Sequence, residues 1–404
     1  MTARATERVS ERVADMRLLP WEYGVRNLAR SPVRLALSLA GAALVVLLVL
    51  AAGAFVRGMD QSLRESGNPS NVILLGAGSE ESFERSEIAP AVTGLAQAAV
   101  PGIKSRLGVP YVSPEVHMQS VIREDRDASR TMQVLVRGVT PAAFLVHPQA
   151  RLVEGRIAEP GRDEVIVGSQ MPTKMGLTDQ RLAVGQTLFF DERVWTIVGR
   201  FEAPGTVMEA EIWTPLSDLQ IAARRDNLSC VVLTLDGGGE FDDVDAFARQ
   251  RLDLELVAIR ETDYYANLRA FYRPIQAMVW VTAILIASGG LLGGLNTMYA
   301  AFASRVREIG SLQALGYPRH AIVLSLIQES LIASVSGALI AATVGVFLLD
   351  GVAVRFSMGV FGMTVDSLVL AMGLGAGVML GLIGGLPPAW RCLKLPIAEA
   401  LKAT

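Results

Sequence analysis

Residues able to do chemistry are sparse and scattered in this chain. The three histidines, His117, His147 and His320, lie far apart, and the two cysteines are Cys230 and Cys392. Metal sites built from local sequence need paired Cys or His at short spacing, and no such spacing occurs. Asp242, Asp243 and Asp245 follow Gly237-Gly238-Gly239. They lack the twelve-residue calcium-loop pattern, so an acidic helix start is the better reading. The sequence has no Gly-x4-Gly-Lys-Ser/Thr phosphate loop, no Gly-x-Ser-x-Gly elbow and no His-Glu-x-x-His pair. Ser288-Gly289-Gly290 lies inside an uncharged apolar run and does not read as a nucleotide loop. No catalytic, cofactor-binding or metal-binding residue is expected, and no enzyme.

Two features stand out instead. Glu329 is the only charge in the apolar run Ala321–Leu349. A carboxylate at membrane depth is costly and marks a site by default. A hydrogen bond to a neighbouring or leading helix is the structural reading, with substrate or proton coupling as the alternative. The second feature is the string Arg305-Val306-Arg307-Glu308-Ile309-Gly310-Ser311-Leu312-Gln313-Ala314-Leu315-Gly316, closed by Pro318. Ile309, Leu312 and Leu315 recur at helical spacing on one face, and Gly316 with Pro318 ends the helix. A short helix with one apolar face suits either a partner's groove or a lipid surface, and the residues alone leave both open.

The surrounding elements follow from hydropathy. The chain has 404 residues, 51% of them hydrophobic, with mean hydropathy +0.38. About 30 Å of hydrocarbon is crossed by about 20 apolar residues at about 1.5 Å each. Leu35–Val56, Ile275–Ala303, Ala321–Leu349 and Ser367–Trp390 meet that requirement. The first run exceeds the apolar centre of a secretory signal and follows a long polar lead, so it reads as a retained anchor despite Ala51-Ala52-Gly53-Ala54. Arg26, Arg30, Arg34, Arg305, Arg307, Arg319, Arg391 and Lys394 flank the runs on one side. That side is cytoplasmic by the positive-inside rule, with both termini on it. The expected order is a leader with an interfacial helix at 1–34, a first span at 35–56 and an extracytoplasmic domain with helical stalks at 57–274. A second span at 275–303, a loop helix at 304–320 and a third span at 321–349 follow. A short outer loop at 350–366, a fourth span at 367–390 and a tail at 391–404 complete it. Cys230 and Cys392 then lie on opposite sides and cannot pair. The net charge of −3 conceals this split, and nothing points to nucleic acid.

Leu18, Leu19, Trp21, Val25, Leu28 and Ala29 recur on one helical face, with arginines beside it. That pattern fits a helix lying on the inner leaflet, Trp21 and Tyr23 at headgroup level, or else a solvated basic leader. In 57–274, strands are expected at Asn71–Leu75, Val116–Ile122, Met132–Val139, Glu164–Val167, Trp195–Val198 and Val231–Leu235. Helices are expected at Glu87–Val100 and Asp242–Leu252, giving an α+β domain between the first and second of four transmembrane helices. Gly373, Gly377, Gly381 and Gly385 form a four-residue lane, and Gly289/Gly293, Gly290/Gly294 and Gly337/Ala341/Gly345 do the same in other spans. Such lanes allow backbones to approach closely where lipid gives no hydrophobic drive.

The 305–316 string resembles the Arg-x-x-Glu-Ile-Gly-x-Leu-x-Ala-Leu-Gly signature of FtsX-like, MacB-type permeases of ABC transporters. Val25-Arg26-Asn27-Leu28-Ala29-Arg30-Ser31-Pro32-Val33-Arg34 resembles the family's leading helix. Gly155-Arg156, Val165-Ile166-Val167-Gly168, Val184-Gly185 and Thr196-Ile197-Val198-Gly199 resemble its outer core. Gly385-Leu386-Pro387-Pro388-Ala389-Trp390-Arg391 and Leu395 to Leu401 resemble its tail. The resemblance implies a bacterial inner-membrane permease of the mechanotransmission type, a homodimer or a pair with a second permease. Two copies of an ABC ATPase would bind ATP and Mg on a separate chain, with a periplasmic adaptor and membrane lipids as further partners. Residues Arg305, Arg307, Glu308, Ile309, Gly310, Leu312, Leu315 and Gly316 would form the coupling helix. The implied function is export or extraction of a lipid, lipoprotein, peptide or hydrophobic compound. The alternative is FtsX-like signalling to a periplasmic hydrolase.

Overall fold

The computed structural model describes residues 30–126 and 131–394, with Gly24 and residues 26–28. The expected interfacial face at Leu18, Leu19, Trp21, Tyr23, Val25 and Ala29 lies outside them. Among the described residues, four helices are long and apolar enough to cross a membrane: Pro32–Glu65, Glu261–Ala303, Arg319–Leu348 and Ser367–Cys392. The first starts on Pro32, whose fixed φ and missing N–H suit a first helical position. The first two helices run well past the apolar runs at their outer ends, as continuous stalks. Pro274 sits inside the second, just before its apolar part, where it removes one backbone hydrogen bond. The chain divides into two compact units, one of apolar helices and one comprising Gly58–Pro274 with Ala353–Gly362.

The outer unit is α/β. Its strands are β1 Asn71–Gly76, β2 Ser105–Arg106, β3 Val109–Pro110, β4 Val112–Ile122, β5 Met132–Val139, β6 Arg151–Gly155 and β7 Glu164–Gly168. Then come β8 Thr187–Phe190, β9 Arg193–Glu202, β10 Ile212–Pro215, β11 Cys230–Thr234, β12 Leu256–Arg260, β13 Ala353–Arg355 and β14 Val360–Gly362. The main sheet runs β12-β1-β11-β4-β5-β10-β7-β9-β6, with β8 on β9. β10 is parallel to β5 and β7 to β9, and the other pairs are antiparallel. Residues of β1, β7 and β11 are buried throughout, as apolar runs covered on both faces are. β9 alternates instead, with Trp195, Ile197 and Phe201 inward. Helix Phe241–Gln250 begins where the acidic triplet lies. The Asp243 carboxylate accepts from the Glu240 N–H at 3.2 Å, and Asp245 pairs with Arg249 at 2.7 Å. Both are helix contacts, so the triplet is an acidic helix start.

In the membrane unit, small residues set the helix contacts. A Cβ added at Gly377 would lie 2.5 Å from that of Ala338, and one at Gly381 would lie 2.9 Å from Leu331 Cα. At Gly385 it would meet Ser330 at 2.8 Å, and at Gly373 it would meet Leu50 of the first helix. Gly337 faces the Leu39 carbonyl, and Gly345 faces Leu50. The lane of the fourth helix therefore packs within the chain, on the third and first helices. The second helix behaves differently. Gly290 meets Val45, but Gly289, Gly293 and Gly294 have nothing within 4 Å, so those three make no helix contact here.

Two tests follow from this packing. Gly381→Leu should overpack the third–fourth helix contact and cost about 1–3 kcal/mol, read as a lowered Tm in detergent; Gly289→Leu should leave Tm unchanged. Cys230 is fully buried, and burial pushes its thiol pKa up. An impermeant maleimide should therefore leave Cys230 unlabelled until the protein unfolds, while Ile221→Cys, at an exposed position, should react from outside the cell.

Candidate functional site

Helix Val306–Ala314 lies between the second and third spans. Its amphipathic face is split by the fold. Val306 and Ile309 are buried with Phe302, Ile322, Leu326, Ala389 and Leu393, and Leu312 packs on that cluster half-buried. Gly310 is also buried, whereas Leu315 is 72% exposed. The expectation of one apolar face free for a partner is thus corrected. Ile309 and Gly310 are spent on this chain's own helices, because the neighbouring spans offer the larger apolar surface. What the helix presents outward is Arg307, Glu308, Ser311, Ala314 and Leu315, with Gly316 at φ +88° closing it.

The helix is also fixed by charge. Arg305 precedes it and donates to both oxygens of Glu329, at 2.8 and 3.1 Å, on the third span. Arg34, near the start of the first span, stands 3.7 Å from the same carboxylate. Glu308 pairs with Arg305 at 3.3 Å and with Arg30 at 3.4 Å. Three arginines and two glutamates thereby tie the leading segment, the first span, the loop helix and the third span. Glu329 is 3% exposed, so its pair is the strong one. The exposed Arg30–Glu308 contact adds little.

A second charged cluster, in the outer unit, was not foreseen. Glu115 receives His147 Nε2 at 2.9 Å on one oxygen. Its other oxygen takes His117 Nε2 and Arg137, each at 2.9 Å. Arg137 also donates twice to Glu211, at 2.7 and 2.8 Å, and Trp213 Nε1 joins Glu211 at 2.8 Å. Two of the three histidines that look scattered in sequence, His117 and His147, thus share one carboxylate, because β4 and the turn after helix Ala143–Val146 meet there. His147 Nδ1 lies 3.7 Å from Glu261, the first residue of the second long helix. Glu261 accepts from the Asn68 N–H and from Asn71 Nδ2, both at 2.9 Å. Asn68 comes just after the first long helix ends, so one carboxylate joins the outer ends of both helices.

Electrostatics explain why such burial is tolerated. Burial pushes Glu115 up, but the charges of His147 and Arg137 and bonds from both histidines hold it well below the usual carboxylate range. Burial raises Glu211 too, and Arg137 outweighs it. For His117, burial and Arg137 win, and its pKa falls. For His147, burial opposes the proton, yet Glu115 and then Glu261 hold its pKa above the ordinary value. Glu115, His117 and Cys230 place ligand atoms within 4.8 Å of one another. Both Glu115 oxygens already hold N–H donors, and Arg137 would face any added cation. The geometry therefore fits a closed ion-pair network.

A model of the MacB-like periplasmic core domain matches residues 35–250, and one of the FtsX-like permease C-terminal region matches residues 280–397. The macrolide export ATP-binding/permease protein MacB of Pasteurella multocida is 25% identical over 308 residues, covering 72% of this chain and 46% of that protein. The chain spans less than half the length of the MacB relatives it matches. The uncharacterized ABC transporter permease YknZ of Bacillus subtilis is 22% identical over 374 residues, covering 88% of this chain and 91% of that one. The periplasmic region of MacB from Actinobacillus actinomycetemcomitans aligns with 52% of this chain and 96% of its own, at TM-score 0.38 and 9% identity.

Each cluster yields an expected outcome. Glu329→Leu strands Arg305 and should cost about 3–5 kcal/mol in assembly. Glu329→Gln keeps an acceptor and should retain the assembled protein, and Arg305→Met with Glu329→Leu should recover part of the loss, by size exclusion and Tm. In the outer network, the His147 contribution is present below about pH 6.5 and is lost as pH rises through its raised value. His147→Gln should therefore flatten the fall of Tm on the alkaline side of neutrality while lowering Tm in mild acid.

Proposed function

The chain belongs to the FtsX-like, MacB-type permease family, and from that premise we propose that it is the membrane subunit of an ABC transporter. A separate ATPase, in two copies and holding ATP and Mg, would dock on the loop helix. The chain would work as a homodimer or with a second permease in a bacterial inner membrane, both termini cytoplasmic, with a periplasmic adaptor as a further partner. The cargo would be a lipid, lipoprotein, peptide or hydrophobic compound, exported or extracted at the outer face. Motion, rather than a tunnel through the spans, would carry the work.

The observation that supports this reading most is the ion-pair network around the loop helix. Arg305, Glu308, Glu329, Arg34 and Arg30 lock that helix to the first and third spans. A push on its outward face would then move the spans instead of bending the loop. That face carries one large exposed apolar anchor, Leu315, among charges, the composition of a contact with an apolar centre and a polar rim.

Leu315→Asp should release the ATPase from the solubilised complex or abolish permease-stimulated ATP turnover. Central apolar anchors cost about 2 kcal/mol or more on truncation, whereas rim charges such as Arg307→Ala cost much less. Ile221→Asp, exposed on the outer unit, is the control and should change neither. Full ATPase stoichiometry with full stimulation in Leu315→Asp would remove this helix as the coupling element.

A further inference from the structure

The outer unit contains a cavity of about 1100 Å3 that the coupling mechanism does not use. Its walls are the turn Phe83–Arg85, strands β4 and β5, the first turns of the second long helix, and the β13–β14 hairpin. Ligand pockets for drug-sized molecules run to about 1,000 Å3, so this one holds a larger molecule or one long chain of it. Much of the wall is apolar and aromatic. Phe83 stacks on Tyr264 at 3.8 Å, and Tyr272 meets Phe356 edge-on at 5.7 Å. Met132 and Leu135 of β5 line its inner side.

Polar and charged groups make up the rest of the wall, among them Arg85, Gln133, Asn267 and Arg355. His117 lines the cavity at 1% exposure, with Nε2 held by Glu115 and Nδ1 without a partner. Buried polar atoms are normally satisfied, and this one is an acceptor, because burial and Arg137 keep the ring neutral. The Glu84 carboxylate stands on the same side. Across the cavity, Lys174 donates to the Phe356 and Ser357 carbonyls, the latter at 3.0 Å. Its ammonium is thus engaged in holding the hairpin, while burial and Arg355 pull its pKa down to about 8. On the His117 side the lining offers two acceptors, His117 Nδ1 and Glu84, the latter also taking Gln119 Nε2 at 2.9 Å, while Arg85 and Arg355 line the cavity as donors.

Position along the chain supplies the source. Phe271 and Tyr272 line the cavity and lie four and three residues before the apolar run that begins at Ile275. On a helix that is about 5–6 Å, and Phe271 is 73% exposed. Aromatic residues at that depth sit among lipid headgroups.

We infer that this cavity receives one acyl chain of an outer-leaflet lipid whose head carries an N–H or O–H donor, the head meeting His117 and Glu84. The inference rests on the transporter reading only for which face of the membrane is outer. The hairpin and the second long helix are both walls of the cavity, so an occupant would bear on segments joined directly to the second, third and fourth spans.

The test uses the full chain in nanodiscs without ATPase, so it stands or falls apart from coupling. The probe is phosphatidylethanolamine with a diazirine on the first carbons of one acyl chain, next to the head, and adducts are mapped by peptide mass spectrometry. Adducts are expected on the peptides carrying Met132 and Leu135, which are remote in sequence from every span. Leu135→Trp, or Met132→Trp if the first folds poorly, should reduce those adducts at least about fivefold and leave span labelling unchanged. Phosphatidylcholine with the same chain lacks the head-group donor and should label these peptides several-fold less, a difference that His117→Ala should erase. Labelling confined to span peptides, undiminished β5 adducts in both Trp variants, or equal labelling by the two head groups would overturn the inference.

Discussion

The carboxylate of Glu261 is the contact on which the outer half of this molecule depends. It is the first residue of the helix that becomes the second span, and it accepts from Asn68, just beyond the end of the helix that forms the first. Through Asn71 it reaches β1, and through His147 it faces the Glu115–Arg137–Glu211 network under the sheet. It acts beside two other ties between the stalks, the Asp60–Arg269 pair at 3.4 Å and the pairing of β1 with β12. In the membrane unit Glu329 fixes the loop helix to the first and third spans.

The proposed relay needs stiff members between fixed ends. Each long helix is hydrogen-bonded along most of its length, and the buried carboxylates Glu261 and Glu329 resist loss of their donors because an uncompensated buried charge costs several kcal/mol. Between those ends the spans meet through glycine, where backbones approach too closely for side chains to slide past. The second long helix has a built-in weakness at Pro274, placed between its stalk and its apolar part. A missing backbone bond there localises bending to that point.

The sequence revealed most where the signal is local. Four spans follow from uninterrupted apolar runs, and strands such as β1 and β11 follow from β-branched stretches bounded by Gly, Pro and Asp. β6, β8, β10 and β12 escaped notice: Arg151–Gly155 and Thr187–Phe190 are too short and mixed to carry a period, and each is defined by its partners, β9 for β6 and β8, β5 and β7 for β10, and β1 for β12. Glu329 was legible as a costly carboxylate, but its partner Arg305 read only as a basic anchor beside the membrane. The Glu115 network was invisible, since residues 115, 137, 147, 211 and 261 share nothing along the chain. The one available signal was the pair of histidines in otherwise apolar strand and helix surroundings. The outward face of the loop helix was misjudged for a related reason: periodicity identifies an apolar stripe, and only tertiary packing decides who buries it.

The central claim is that force applied at the loop helix reaches the outer unit through the two long helices. It is tested most directly by spin labels on Asp263→Cys, at an exposed position, in a complex of two copies with the ATPase, Cys392 being replaced by Ser. The distance between the labels is measured in the ATP-free and vanadate-trapped states, for the native sequence and for Glu329→Gln and Glu261→Ala. The account predicts a distance change in the native complex that survives Glu329→Gln and shrinks in Glu261→Ala, while ATP turnover continues in all three. An unchanged distance in a native complex that hydrolyses ATP at full rate would contradict it.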